Sequence, residues 1–423
     1  MKFAKLSLAA VAAMAFTSGA VAFDLNKITI KPYLKTKLYY ETIDYDKNPS
    51  DKDLFNQAVS SGQALAQIGA TGKLNGCWGY GLEYSVADTL GLENNLVSAT
   101  RMGYSWQDTE DEPTIDTQDW MSQGYLTFRG CGTPLKNTTF KIGRQYLDTP
   151  LAFTETWNLA PNSFDAIVAV NKDIQNVAVV GAYVGRGNGT FGRVTNGEDF
   201  DRYVKKGAYA LGLLTNFGLP VNVWYYNVRD VAKAWWADAA YTLPYEGVKY
   251  NFGLQYGSMD PDATGADDTS GGAIKLGADF GDYSLMAAYS KMDDDGVLPL
   301  ANTATGFKKT KLYTAGIYTD GTGVAVPGSE AWKVKGSAKT SIGKFTAQYV
   351  CCENDSATVK SNSNAMTNVK EMDLIYGTKV LGINTKLIYI NRDVDDAYAP
   401  ANPSAKSLKQ DTQHVRIVLS KEF

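Results

Sequence analysis

The chain contains a single histidine, His414, and four cysteines, Cys77, Cys131, Cys351 and Cys352. A serine hydrolase would need a serine motif within reach of that histidine, and none stands beside it. The run Gly185-Arg186-Gly187-Asn188-Gly189 is rich enough in glycine to cradle a phosphate, but it has no Gly-Lys-Ser/Thr ending and no helix pattern after it, so it reads as a strand leaving for a loop. Carboxylates are the ligands that calcium prefers, and the pairs Asp260 with Asp262 and Asp293 with Asp295 are the weak candidates. No aspartate run has the EF-hand spacing with a closing glutamate, so a solvated acidic loop is the simpler reading, and no other cofactor is expected. The remaining chemistry lies in lysine and arginine. These residues recur on one parity of strand-like segments, where a column of cations can pass an anion along a channel.

The elements that must position these cations are β-strands. In Val248 to Tyr256, Val, Tyr, Phe, Leu and Tyr share one face while Lys249, Asn251, Gly253 and Gln255 share the other. Trp332 to Lys339, Ile274 to Phe280 and Ile28 to Tyr40 repeat the alternation. Tight connections fall near Asn75-Gly76, Gly130 to Thr133, Gln175-Asn176, Phe217 to Pro220, Pro244 to Gly247, Gly281-Asp282, Gly343-Lys344 and Gly382-Ile383. Longer polar stretches separate them, at 44 to 62, about 90 to 120, 154 to 163, 187 to 204, 260 to 271, 293 to 328, 353 to 367 and 393 to 411, with a short link near 231 to 234. Eight tight turns and nine loops join about eighteen strands. Short turns on one side and long loops on the other are the pattern of a transmembrane antiparallel β-barrel of the bacterial outer membrane.

Composition and the chain ends agree with that class. With 26 Tyr, 16 Phe, 8 Trp and 40 Gly, the chain is aromatic and glycine-rich, yet its mean hydropathy is −0.24. An apolar lipid face around a polar interior produces this combination. Residues 1–22 read as a secretory signal peptide: Lys2 and Lys5, an apolar run from Leu6 to Phe16, then Ala20-Val21-Ala22 before cleavage. Its removal takes the formal charge from −4 to −6, which argues against nucleic acid as a partner. Residues 23–423 are expected to form a single barrel domain. The last strand, Thr412 to Phe423, puts Val415, Ile417, Leu419 and Phe423 on one face and ends on an aromatic residue, with His414 on the opposite face as a lumen or rim residue.

If the apolar parity meets lipid, the lumen receives Lys31, Lys35 and Lys37, Lys73, Arg129, Lys141, Lys249, Lys275, Lys333, Lys335, Lys339 and Arg416. The acids on these faces are few: Glu41, Asp279, Glu371 and Asp373. A net-positive wall concentrates anions, while the equally weighted plain reading is that lysine is merely a long solvated residue. Cys77 and Cys131 fall at neighbouring periplasmic turns in an oxidising compartment, so a disulfide is expected there if one turn leans toward the other. The aromatic pairs Tyr39-Tyr40, Tyr225-Tyr226 and Trp235-Trp236 read as interfacial girdle residues.

The chain also resembles the OprD-type porins and the related campylobacterial major outer-membrane porins. The likeness rests on Gly143-Arg144-Gln145-Tyr146-Leu147-Asp148-Thr149-Pro150, Asn158-Leu159-Ala160-Pro161-Asn162-Ser163-Phe164-Asp165, Val223-Trp224-Tyr225-Tyr226 and Trp236-Ala237-Asp238-Ala239-Ala240-Tyr241. The resemblance implies an eighteen-stranded barrel, a homotrimer, and a third external loop folded inward to narrow the pore. That loop would be Thr154 to Ser163, with Glu155 at its tip and Asn158 and Asn162 beside it. The expected function is passive diffusion of ions and small hydrophilic solutes, with a preference for anions or carboxylates, and not catalysis. The expected partners are those solutes, membrane lipid and lipopolysaccharide. The alternative is a surface or adhesive protein that the barrel merely anchors.

Overall fold

A computed structural model describes residues 28–46, 53–102, 117–189, 197, 199–202, 204, 206–354, 368–394 and 411–423. Residues 1–27, which hold the expected signal sequence, and parts of several connections on the long-loop side lie outside them. Eighteen strands pair antiparallel with their sequence neighbours: β1 (Thr29–Tyr45), β2 (Ser60–Lys73), β3 (Trp78–Asp88), β4 (Gln118–Phe128), β5 (Thr138–Gln145), β6 (Phe164–Asn171), β7 (Val177–Gly187), β9 (Ala208–Asn216), β10 (Pro220–Val228), β11 (Ala232–Tyr245), β12 (Val248–Pro261), β13 (Thr269–Phe280), β14 (Tyr283–Met292), β15 (Ser329–Thr340), β16 (Gly343–Asn354), β17 (Val369–Val380), β18 (Ile383–Val394) and β19 (Thr412–Glu422). A two-residue strand, β8 (Asp201–Arg202), pairs only with the end of β7. The last strand closes on the first, Leu419 standing opposite Leu38, so the sheet has no free edge.

Local rules explain the strand ends. Glu246-Gly247 and Leu381-Gly382 are two-residue hairpin turns with positive φ at both positions (48° and 81°, 50° and 80°). That geometry matches the twist of the strands it joins, and glycine adopts it without a Cβ penalty. All eight tight connections lie on one rim and the long ones on the other.

Strand alternation then sorts the faces. On β12, Tyr250, Phe252, Leu254 and Tyr256 are all exposed, and on β15 Trp332 and Val334 are exposed while Lys333 between them is buried. Large apolar side chains facing out and polar ones facing in define a lipid-spanning barrel. The girdle expectation needs one correction. Within each adjacent aromatic pair only one ring reaches lipid: Trp235 is exposed, but Trp236, Tyr226 and Tyr39 are buried inside. Successive residues of a strand point to opposite faces, so a vicinal pair cannot share the girdle.

Cys77 and Cys131 are disulfide-bonded with Cα atoms 5.6 Å apart, joining the β2–β3 and β4–β5 turns. A crosslink across 54 residues restricts the unfolded chain, and its loss by Cys77→Ala with Cys131→Ala is expected to cost about 2–4 kcal/mol. A lowered urea midpoint of the detergent-solubilised protein would show it; an unchanged midpoint would deny the crosslink any such role.

Candidate functional site: a basic, loop-narrowed lumen

Three connections turn into the barrel instead of projecting from it. The longest, 293–328, was expected from its acidity to project outside; it folds inward because its middle is apolar. Leu300, Leu312, Val324 and Ala325 bury themselves with Leu151 against the inward side chains of β7, β10 and β11, among them Val180, Trp224, Tyr226 and Trp236. Each leucine or valine among them contributes about 1.5–3 kcal/mol when fully buried. Hydrogen bonds tie the same segment to the wall: Gln255 accepts from the Tyr313 N–H at 3.0 Å and donates to the Lys311 carbonyl at 2.8 Å, and Lys333 donates to the Ala315 carbonyl.

The segment 146–163 lies inside as well, and the two loops are bolted together. Asn302 donates to the Phe153 carbonyl and to Glu155, at 3.0 and 3.1 Å, and the Thr305 hydroxyl donates to Glu155. Trp157 Nε1 donates to the other Glu155 oxygen at 2.8 Å. Glu155 is therefore a buried anchor between two loops and not a free charge at a tip. Asn162 accepts from the Glu155 N–H at 2.6 Å, and Asn158 donates to the Arg101 carbonyl at 3.2 Å while its own carbonyl accepts from Lys37. Arg101 belongs to the third inward segment, 89–102.

On the far side of the lumen the loops meet ionised groups. Glu41 is fully buried between Arg101 at 2.9 Å, Arg416 at 3.0 Å and His414 at 3.3 Å, and it accepts from the Tyr318 hydroxyl. Glu371, also fully buried, accepts the Ile317, Tyr318 and Thr319 N–H groups and the Thr319 hydroxyl, with Arg392 at 3.6 Å. Burial of a carboxylate is tolerable only with this many donors. The long loop is thus packed on apolar residues at one wall and latched through two acids at the other, so it crosses the lumen.

Between the loops and the wall of β16 to β19 and β1 lies a cavity of about 800 Å³ lined by Lys37, Trp157, Lys309, Asp320, Lys344, Lys386 and Arg416. Direct cross-strand partners place Lys344, Gly377, Lys386, Val418 and Tyr39 in one row, and the small Gly377 leaves space between the two lysines. Lys309 pairs with Asp320 at 2.9 Å and lies 4.9 Å from the Trp157 ring. Burial pushes the Asp320 carboxyl above its ordinary value, with Lys309 opposing. Asp320 therefore takes up a proton at a higher pH than a free aspartate would. Acidification is expected to neutralise it before an ordinary aspartate and raise anion preference, and Asp320→Asn should reduce that pH dependence of the reversal potential.

Each base expected on the inner wall has the inward parity. Lys35 reaches Glu83 at 3.1 Å, Lys141 lies 3.9 Å from the Tyr125 ring and Lys275 4.4 Å from the Tyr313 ring. Lys73 and Arg129 line a cavity of about 240 Å³ at the periplasmic rim with Lys31, and Lys249 and Lys339 are exposed near the same rim. Lys335 is half-buried, flanked by Gln348. Only Lys37 and Arg416 of the expected bases line the narrow cavity. Sequence reasoning missed Lys386 and Arg392, whose alternation with Leu387 and Asn391 was legible, Lys344 and Lys379, which stand beside turns, and the loop residues Arg101 and Lys309, which carried no signal. Of the acidic candidates, Asp293 caps the Ser270 N–H at 2.9 Å, Asp262 lies 3.9 Å from Lys233, and Asp260 and Asp295 are exposed. Among the described residues no three His, Cys, Asp or Glu are disposed to hold a metal ion. His414 faces the lumen, 4.4 Å from the Tyr318 ring.

A closed transmembrane barrel of eighteen strands, narrowed from within by loops, is the class that the fold and site define. No family model and no curated protein sequence matches the chain. Solved structures do. Pseudomonas aeruginosa OccK9 (OpdG) superposes with a TM-score of 0.72 at 14% identity, covering 93% of this chain and 98% of that one. Acinetobacter baumannii OccAB1 gives 0.71 at 16%, covering 93% and 96%. Pseudomonas aeruginosa OpdK, solved with vanillate, gives 0.69 at 14%, covering 93% and 98%. The chain has the fold of these OprD/Occ-type channels.

Proposed function

We propose that the protein is an outer-membrane porin through which small hydrophilic solutes diffuse passively, with a preference for anions and carboxylates, and that it carries out no catalysis. The cavity left by the inward loops, lined by five wall cations, Lys37, Lys344, Lys379, Lys386 and Arg416, against one loop ion pair, carries this reading. In a low-dielectric wall such charges raise the local concentration of counter-ions. Arginine and lysine spaced along the wall exchange a carboxylate from one to the next. The vanillate found with OpdK is a carboxylate of this kind. The pore-lining set expected from sequence, Lys35 to Arg416, supports the same preference along the length of the lumen.

The test is reversal potential in a salt gradient across a planar bilayer with the purified protein, where anion preference is expected and a clear cation preference would refute the proposal. The alternative of a barrel that only displays surface loops is disfavoured by the inward course of 293–328, and it predicts no steady current. We also propose the homotrimer that the resemblance implies. An SDS-resistant band of three chains before boiling is expected, and a monomer under the same conditions would deny it.

A further inference from the structure

The outward face carries a row of charges that the pore does not use. A register shift between Asp165 and Ala166 turns Arg186 outward, and direct cross-strand partners then run Arg144, Asp165, Arg186 and Arg202 over four successive strands. Ile142 and Ile167, on the same parity as Arg144 and Asp165, are exposed to lipid, which fixes the direction.

The single acid in the row is already committed. Arg144 grips Asp165 with two nitrogens, at 2.8 and 3.2 Å. Arg186 stands 4.0 Å from the same carboxylate with 62% of its side chain exposed. Arg202, directly opposite Arg186, has no ion-pair partner among the described residues. Like charges placed opposite one another destabilise a strand pair. Two arginines at directly paired positions, their backbones one strand spacing or about 5 Å apart, can reach one tetrahedral anion together.

Position in the membrane identifies the anion. Tyr183 and Tyr209 lie outward with ring centroids 5.2 Å apart, and Arg186 follows Tyr183 by three residues, about 10 Å along the strand toward the long-loop rim. Aromatic girdle residues sit at the membrane interface, so the arginines stand just beyond it, at the level of lipid headgroups. We propose that Arg186 and Arg202 form a docking site for a phosphate group of the outer-leaflet glycolipid, reached directly and without a bridging divalent ion. The assignment rests on the outer-membrane placement proposed above.

The test uses the full detergent-solubilised chain, excess chelator, and two probes: bisphosphorylated lipid A and the same lipid with its phosphates removed. Native mass spectrometry or a fluorescence titration should show the wild type preferring the phosphorylated lipid. Arg186→Ala with Arg202→Ala should weaken that binding by at least about tenfold, while Lys233→Ala, in another sector of the rim, should not. Heat-modifiable gel mobility and wild-type conductance establish that the double variant is folded. Equal binding of the two lipids, an unchanged affinity in the double variant, or a need for divalent ions would each overturn the site. So would a change in oligomer mass in the double variant, which would make the row a contact between copies. A wild type that binds the lipid but passes no current would count against the porin reading and leave the lipid site standing.

Discussion

Glu371→Ala is expected to widen the pore. Its carboxylate accepts three consecutive backbone N–H groups, from Ile317 to Thr319, together with the Thr319 hydroxyl, and faces Arg392. Removing one partner of a buried ionic cluster costs about 3–5 kcal/mol because the remaining groups stay buried and unpaired. At about 1.4 kcal/mol per decade, that shifts the loop's attachment equilibrium by more than a hundredfold. The barrel wall loses no ladder hydrogen bond, so the cost falls on the crossing loop. Single-channel conductance should therefore rise and fluctuate between levels, with thermal stability of the barrel little changed. A second variant reports on the same latch: a Cβ added at Gly316 would collide with a Glu371 oxygen, so Gly316→Ala should push the loop off and act in the same direction. Conductance and noise identical to wild type in both variants would show that the loop does not limit flow.

The second large effect is on selectivity. Lys344 and Lys386 flank Gly377 in one cross-strand row at the narrow cavity, opposite the Lys309–Asp320 pair. Lys344→Glu with Lys386→Glu changes the wall charge by four units at the cavity beside the inward loops. Fields in a confined, low-dielectric passage alter local ion concentrations by about tenfold or more. The anion-to-cation permeability ratio should fall about tenfold and pass into cation preference. The same exchange at Lys73 and Lys249, which stand exposed near the short-turn rim and outside that row, should shift it far less. Equal shifts from the two pairs would place the selectivity filter elsewhere.

Much of this architecture was legible before any coordinates. The alternation in Val248 to Tyr256 and the turn residues at Glu246-Gly247 and Leu381-Gly382 are local signals, because strand parity and hairpin geometry are set within a few residues. The same parity put Lys333 and Arg416 inside, where they are found. Lys344 escaped because it follows Gly343 at a turn, and a residue beside a turn has too few neighbours on one side to show its parity.

The interior of the pore was not legible in that way. Glu155 reads as a loop acid, and only its contacts with Asn302 and Thr305, nearly 150 residues later, make it an anchor. The segment 293–328 reads as an external acidic loop from Asp293-Asp294-Asp295, whereas Leu300, Leu312 and Val324 carry its middle onto Trp224 and Trp236. By itself the sequence determined the barrel, its approximate strand number and the sign of its inner wall, since these follow from short-range periodicity and charge. Tertiary structure decided where loops fill the lumen and which five wall cations face them, because loop burial and buried ion pairs depend on contacts between residues far apart in the chain.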